Sequence, residues 1–274
     1  MATRTATLIC AALLLVGCAP KPEPVTAPVV KREVYKPKPA DEQRKFVRPQ
    51  FRKTVILVYH DMVLKRDKDA LWFDCTPAEL TKQIEEMEKK GVKFVSLAAV
   101  EDELFGGAQP QGPQVAITFA DNYLGFAKYG WPILRKRSIP VTMFVHTDFV
   151  GDTHGRPKLP WFRLLEFGRF QIASVQSQTC SHPEDITKLT DKELKHEMED
   201  SKKELLDKLG FQVPYIAYPN GKYDERVMAA AKAAGYRMGF TEAQKPVEAA
   251  TDPMAVPRYV HTKWKQALAD IGVQ

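Results

Sequence analysis

A chain of 274 residues with 44% hydrophobic and 27% charged positions can bury a sizeable core and is too apolar to be disordered throughout. Its formal charge is +6, but residues 54–274 carry 29 basic against 30 acidic side chains, so the basic balance is no signal for nucleic acid. Four cysteines in a chain this long exclude a disulfide-scaffolded mini-domain.

The chain opens with Arg4 and a short apolar run over 5–17. That run falls short of the roughly 20 residues a membrane span needs and matches the apolar core of a secretory signal. It ends in Leu15-Val16-Gly17-Cys18, which resembles the lipobox of bacterial lipoproteins. The resemblance implies a signal peptide over 1–17 and a diacylated Cys18 as the first mature residue. Ala19 rather than an aspartate follows, which under the enterobacterial sorting rule implies the outer membrane. The expected location is therefore the cell envelope, lipid-anchored on the periplasmic face. A plain secretory signal with an incidental cysteine is the competing reading.

Residues 18–53 form a separate unit behind the anchor. Positions 19–53 hold seven prolines, ten Lys/Arg and four Asp/Glu, with almost no apolar periodicity. Such a segment cannot bury enough surface to fold and reads as a semi-extended, disordered tether. Its basic charge suits anionic head groups or cell-wall polymer, at about 1 kcal/mol per well-placed charge; a solvated spacer explains it equally well.

From 54 to 274 one α/β domain is expected. An apolar strand covers 55–59. A helix covers 76–90, with Thr76 as cap, Pro77 in its first turn, and Leu80, Ile84 and Met87 on one face. Strands follow at 93–97 and 115–119, a helix through Trp131 and Leu134, and strands at 140–145 and 170–177. A long charged helix over 191–209 closes at Gly210. The pattern ends with a strand at 216–218, a helix over 225–234 closed by Gly235, and a strand at 237–240. Alternation of helices with fully apolar strands argues for a parallel sheet or (β/α) barrel with helices outside. Cys75 and Cys180 could pair, but spacing alone does not place them in bonding distance.

Ligands of such folds sit at the C-terminal ends of the strands. Those ends carry His60-Asp61, Ala120-Asp121-Asn122-Tyr123, Gln178-Thr179-Cys180-Ser181-His182 and Pro219-Asn220-Gly221. An aspartate and histidines near one mouth are the raw material of a catalytic divalent-metal site. Residues 178 and 182 are one helical turn apart, which would put both on one face. His146, His154, His196 and His261 read as surface or packing residues. Tyr123, Trp161, Tyr218 and Tyr223 are candidates for stacking on a sugar.

Three stretches then resemble the NodB-homology polysaccharide deacetylases, carbohydrate esterase family four. Thr118-Phe119-Ala120-Asp121-Asn122-Tyr123, with Ile139-Pro140-Val141-Thr142-Met143-Phe144-Val145 and Asp148-Phe149-Val150-Gly151 behind it, resembles the first signature. Ser177-Gln178-Thr179-Cys180-Ser181-His182-Pro183, with Ile186-Thr187-Lys188-Leu189, resembles the second. Ala217-Tyr218-Pro219-Asn220-Gly221-Lys222-Tyr223-Asp224 resembles the third, and Leu57-Val58-Tyr59-His60-Asp61 is similar to the opening of the biofilm poly-N-acetylglucosamine deacetylases. The resemblance spans about 54–260. It implies a (β/α) barrel-like fold, a divalent metal (zinc foremost) held by one Asp and two His, an Asp base, and an N-acetylated polysaccharide or cell-wall glycan as ligand.

Carried over position by position, Asp121 and His182 become metal ligands and the second imidazole position is Gln178, a far poorer donor for zinc. The base position is Ala120, which cannot titrate, and Asn122 replaces the family's usual glycine. Tyr123, Tyr218 and Asn220 would line the glycan groove. Losing a general base alone typically costs 10²- to 10⁴-fold in rate. No catalytic residue is therefore secure, and His60 and Asp61 are the possible substitutes. Cys180 is an unorthodox third ligand or, more simply, a packed small residue. Three readings stay open: an impaired deacetylase homologue that still binds its glycan, a working deacetylase with altered groups and a weakly held metal, and a non-enzymatic docking component of an export or cell-wall machine.

Overall fold

The computed structural model describes residues 44–47, 53–107 and 109–274. The expected signal peptide, Cys18 and most of the tether lie outside the described residues.

Eight strands form one sheet: β1 (Thr54–Tyr59), β2 (Lys93–Val95), β3 (Gln114–Phe119), β4 (Val141–Val145), β5 (Ala173–Ser177), β6 (Tyr215–Ala217), β7 (Met238–Phe240) and β8 (Tyr259–Val260). Their order is β7-β6-β5-β4-β3-β1-β8, with β2 paired to β3, and each of these pairings is parallel. The segment leading into β8 also bonds to β7: the Thr241 amide donates to the Val256 carbonyl and the Val256 amide to that of Gly239. One short stretch thus joins the two ends, and the sheet curls into the expected (β/α) barrel-like fold.

Side chains alternate across each strand, so a curled sheet with helices outside has two apolar layers to fill. Val55, Leu57 and Tyr59 of β1 join Val115, Ile117 and Phe119 of β3 and Val141, Met143 and Val145 of β4 in the outer layer. Ile56, Ala116, Phe144, Ala217 and Phe240 fill the inner one. Above them Val58, Ala120 and Val260 close a small third cluster. This is why β1 reads as a continuous apolar run rather than an alternating one.

The helices are α1 (Pro77–Lys89), α2 (Leu97–Leu104), α3 (Trp131–Lys136), α4 (Trp161–Gly168), α5 (Asp191–Lys195), α6 (Ser201–Leu209), α7 (Glu225–Ala233) and α8 (Trp264–Asp270). Thr76 caps α1 in a full capping box with Glu79, and Leu80, Ile84 and Met87 are its buried face, as the spacing predicts. Gly210 closes α6 with φ 70°. Several details depart from the sequence reading. β2 ends at Val95 instead of 97, where α2 opens, and α2, α4, β8 and α8 are not among the expected elements. β5 starts at Ala173, later than the expected 170. The helix expected over 191–209 is broken by a wide π turn over His196–Asp200.

That turn presents Glu197 inward, where its carboxylate accepts the backbone amides of Cys180 at 2.8 Å and Ser181 at 2.9 Å, plus the Ser181 hydroxyl. Glu197 is buried, so the chain after β5 is pinned by a charge-assisted three-point contact. Both Cys75 and Cys180 are free, buried thiols.

Glu197→Gln should lower stability by about 2–3 kcal/mol in urea denaturation, because an amide cannot accept from all three donors. A loss below about 0.5 kcal/mol would mean the loop is held by something else. His261, stacked on Tyr59 at 4.7 Å between ring centroids, provides a pH probe. Burial, aided by the nearby His60, pushes its pKa down to about 4. Unfolding restores the ordinary value near 6.5, so its contribution is complete above that pH and is lost as pH falls toward 4. His261→Phe keeps the stack and removes the titration. The stability of the variant relative to the parent should rise by about 3 kcal/mol between pH 7 and pH 4. Parallel pH profiles would refute this.

Candidate active site

The inner parity of each strand, carried two residues past the apolar layers, sets the rim of the barrel. Val58 is followed by His60, Phe144 by His146, Gln176 by Gln178, and Phe240 by Glu242. The third cluster puts Ala120 on the same inner face, wholly buried against Val58 and Val260. Ala120, the position that the resemblance assigns to a base, is therefore part of an apolar plug.

Directly after β3 the backbone turns left-handed at Asp121 (φ 64°) and Asn122 (φ 38°). Asn is the non-glycine residue, with Asp, that tolerates this region best, which accounts for Asn122 where the family usually has glycine. Thr179, His182, Asn220 and Gln244 are left-handed too, so six of the seven non-glycine residues with positive φ among the described residues lie in strand-end loops of this rim. Such strain collects at functional sites, held in place by the surrounding contacts.

Asp121, Gln178 and His182 converge, as their signatures imply. The convergence does not use a helical turn: residues 178–182 form an irregular loop held by Glu197. The His182 Nε2 lies 3.5 Å from Asp121 Oδ1. Gln178 makes two contacts with Asp121, its Nε2 donating to Oδ1 at 2.8 Å and its Oε1 accepting the Asp121 backbone amide at 2.8 Å. A backbone amide only donates, so it fixes which end of the side-chain amide is oxygen. The NH₂ end must then face the carboxylate.

Around this clasp, His146 Nε2 lies 3.2 Å from the Asp121 carbonyl, and the Lys158 ammonium donates to the same carbonyl at 2.9 Å. Lys158 also stands 3.5 Å over the Tyr123 ring. Burial would raise the Asp121 carboxyl, but His60, His182, His146 and Lys158 outweigh it and hold the pKa below the ordinary value. Burial lowers His60 despite the pull of Asp121 and Glu242, brings His146 to about 4, and brings Lys158 to about 8. At neutral pH the imidazoles of His60 and His146 are uncharged. His146 was expected only to pack, yet it is a wall of the site; its place two residues beyond Phe144 on the inner face was the signal available.

Other expected residues fare differently. His60 sits at the rim with Nδ1 buried and without a hydrogen-bond partner, and its Nε2 is 3.9 Å from Glu242 Oε1. Asp61 does not face the site as a free base: Oδ1 accepts the Met62 amide and Oδ2 the Arg156 guanidinium. Tyr218 cannot line a groove, because it is fully buried with its hydroxyl donating to the Met254 carbonyl. Asn220 is exposed and donates to the Glu184 carbonyl, tying two rim loops together. Tyr123 is half-buried beside Asp121. Cys180 is a packed residue, its thiol pushed up to about 12 by burial. Glu242 at the rim went unnoticed in the sequence, where nothing marks it off from other exposed acids.

The resemblance implies a metal centre with three protein ligands at this rim. Both ends of the Gln178 amide are engaged with Asp121, and one of them covers the carboxylate oxygen nearest His182. Among the described residues no group of three or more His, Cys, Asp or Glu is arranged to hold an ion. Asp121 and His182 are two donors where such a centre uses three protein ligands. The residues present do not fit it.

Residues 107–239 match the family model described as polysaccharide deacetylase. The Bacillus subtilis (strain 168) protein YxkH, whose name assigns it to the polysaccharide deacetylases, is 31% identical over 149 residues, 54% of this chain. The chain spans about half the length of that curated relative. Among solved structures, the Streptococcus pyogenes deacetylase PplD in complex with acetate superposes with a TM-score of 0.71 at 25% identity, covering 80% of this chain and 98% of its own. IcaB from Ammonifex degensii gives a TM-score of 0.71 at 24% identity, covering 82% and 99%, a likeness of fold. With the barrel and these similarities in agreement, residues 107–239 carry a polysaccharide deacetylase domain of the NodB-homology type.

Proposed function

We propose that the domain binds an N-acetylated glycan at the rim of the barrel and hydrolyses it poorly or not at all. The carrying observation is the two-point clasp of Gln178 on Asp121, which engages both ends of the Gln178 amide and the Asp121 oxygen nearest His182. Buried Ala120 supports the same reading, since no proton acceptor stands at the base position. Zinc would be held weakly, by Asp121 and His182 alone. The glycan would rest against Tyr123 and the loop of Asn220.

The lipobox-like run ending at Cys18 supports placing the domain in the cell envelope, anchored by lipid on the periplasmic face of the outer membrane. The basic segment over 19–53 would then separate anchor from domain.

A second reading, an active deacetylase with a substitute base, is favoured by one feature. His60 is neutral at pH 7, points from the inner face of the barrel, and has an unpartnered Nδ1. Asp61 is a poor substitute because both carboxylate oxygens are engaged.

Acetate release from N-acetylglucosamine oligomers with added zinc or cobalt separates the two. The parent should release none above background, and Ala120→Asp or Gln178→His alone should do little. The double variant should gain activity of at least about 10²-fold over either single one, because base and metal act as a unit and their effects are not additive. Clear turnover by the parent, abolished by His60→Ala, would overturn the binding-only reading.

A further inference from the structure

The loop between β1 and α1 carries a feature that the deacetylase signatures do not include. Trp72 is 62% exposed, although the loop that holds it is tightly fixed. Asp74 beside it is fully buried and paired with the Arg156 guanidinium, and its carboxylate also accepts the Leu71 amide. The Cys75 amide bonds back to the Asp61 carbonyl and the Val63 amide to that of Cys75. The exposed indole is thus presented from an anchored backbone.

Its neighbours make a row. Trp72 meets Phe73 edge-on at 5.6 Å, and Phe73 lies nearly parallel to Tyr123 at 6.3 Å. Phe73 is also 5.0 Å from the His60 ring. Cations flank the row, with Arg156 5.7 Å from Phe73 and Lys158 3.5 Å from Tyr123. The inner end of the row is Tyr123, two residues from Asp121; the outer end is open to solvent.

We infer that Trp72, Phe73 and Tyr123 form a stacking platform for a neighbouring pyranose unit of the glycan, outside the unit that meets Asp121. The inference rests on the glycan-binding reading and extends it to a second sugar. A pyranose with its hydroxyls equatorial shows C–H groups on both faces and a polar edge. Flat rings match the faces, and the flanking Arg156 and Lys158 match the edge. Aromatic rings also hold their contact area with little rotamer entropy to lose, and the anchored loop lowers the ordering cost further. An oligomer of β-linked N-acetylglucosamine has this shape. Leu64 and Leu71 of the same loop are exposed as well, but the cations set against the rings favour a ligand with a polar edge over a purely apolar partner surface.

The test is calorimetric titration of the full-length chain with N-acetylglucosamine tetramers in β-1,4 and β-1,6 linkage. Trp72→Ala should weaken tetramer binding about tenfold with an unchanged melting temperature, and Trp72→Phe should stay within about threefold of the parent. Ligand should quench indole fluorescence in the parent and lose most of that effect in Trp72→Phe. Tetramer binding of equal strength in parent and Trp72→Ala would overturn the platform and leave the glycan-binding function standing. Binding of phosphatidylglycerol vesicles that needs Trp72, with oligosaccharide affinity unmoved, would overturn it in favour of a membrane. Failure of the parent to bind either tetramer would overturn both the platform and the function on which it rests.

Discussion

A strand covered on both faces has no solvent-facing side until it ends, and polar groups within it, such as Thr118 and Gln176, must bond to neighbouring backbone or side chains. In this barrel the helices cover one face and the curled sheet's own interior covers the other, so the inner parity stays apolar through Ile56 and Val58, through Ala116, and through Phe144. The first inward positions past those layers are the first where a polar side chain meets solvent, and they are occupied by His60, His146, Gln178 and Glu242. The site is a consequence of strand length and register as much as of residue type. Shifting one strand by a single residue would turn its rim group outward and bring an outer-layer side chain in.

The rim loops then have to point backbone as well as side chains at one place. Left-handed residues cluster there, and specific contacts hold them: Glu197 the chain after β5, Asn220 the loop after β5 from the far side, Lys158 and His146 the Asp121 carbonyl. Of these supports, Asn220 lies within the third signature and His146 directly follows the first, whereas Glu197 and Lys158 lie outside them. They carry no reactive chemistry, yet without them Asp121 and His182 would not face each other.

The barrel, the helices that begin near Pro77, Trp131, Asp191 and Glu225, and the convergence of Asp121, Gln178 and His182 could be read from the sequence, because apolar runs with cap residues and short signatures are local signals; α2, α4 and α8 could not. Thr76, Leu80, Ile84 and Met87 behave as their spacing predicts. What could not be read depends on contacts distant in the chain. The π turn at 196–200 looks like ordinary charged helix until Glu197 is seen to have two loop amides to satisfy. Tyr218 reads as a groove residue because it adjoins a signature, but its hydroxyl is claimed by Met254, thirty-six positions away. Asp61 looks free until Arg156 arrives from another loop. Trp72 and Phe73 sit in no motif, and their meaning appears only when Tyr123 is placed beside them.

The two departures at the site both bear on Asp121. With His60 and His146 neutral, the charges facing the cavity are Asp121 and Glu242 against Lys158 and Arg258. Arg258 is fully buried, with a carboxylate oxygen of Glu242 3.7 Å from its guanidinium. A second carboxylate at position 120, pressed between Val58 and Val260 next to Asp121, would add an uncompensated anion in an apolar setting, where like charges raise each other's pKa. A divalent cation would offset it. Gln178, meanwhile, offers Asp121 two neutral hydrogen bonds in place of the ion's charge. Ala120 thus leaves Asp121 as the one carboxylate at this point of the rim, and Gln178 bonds it at both its carboxylate and its own backbone amide.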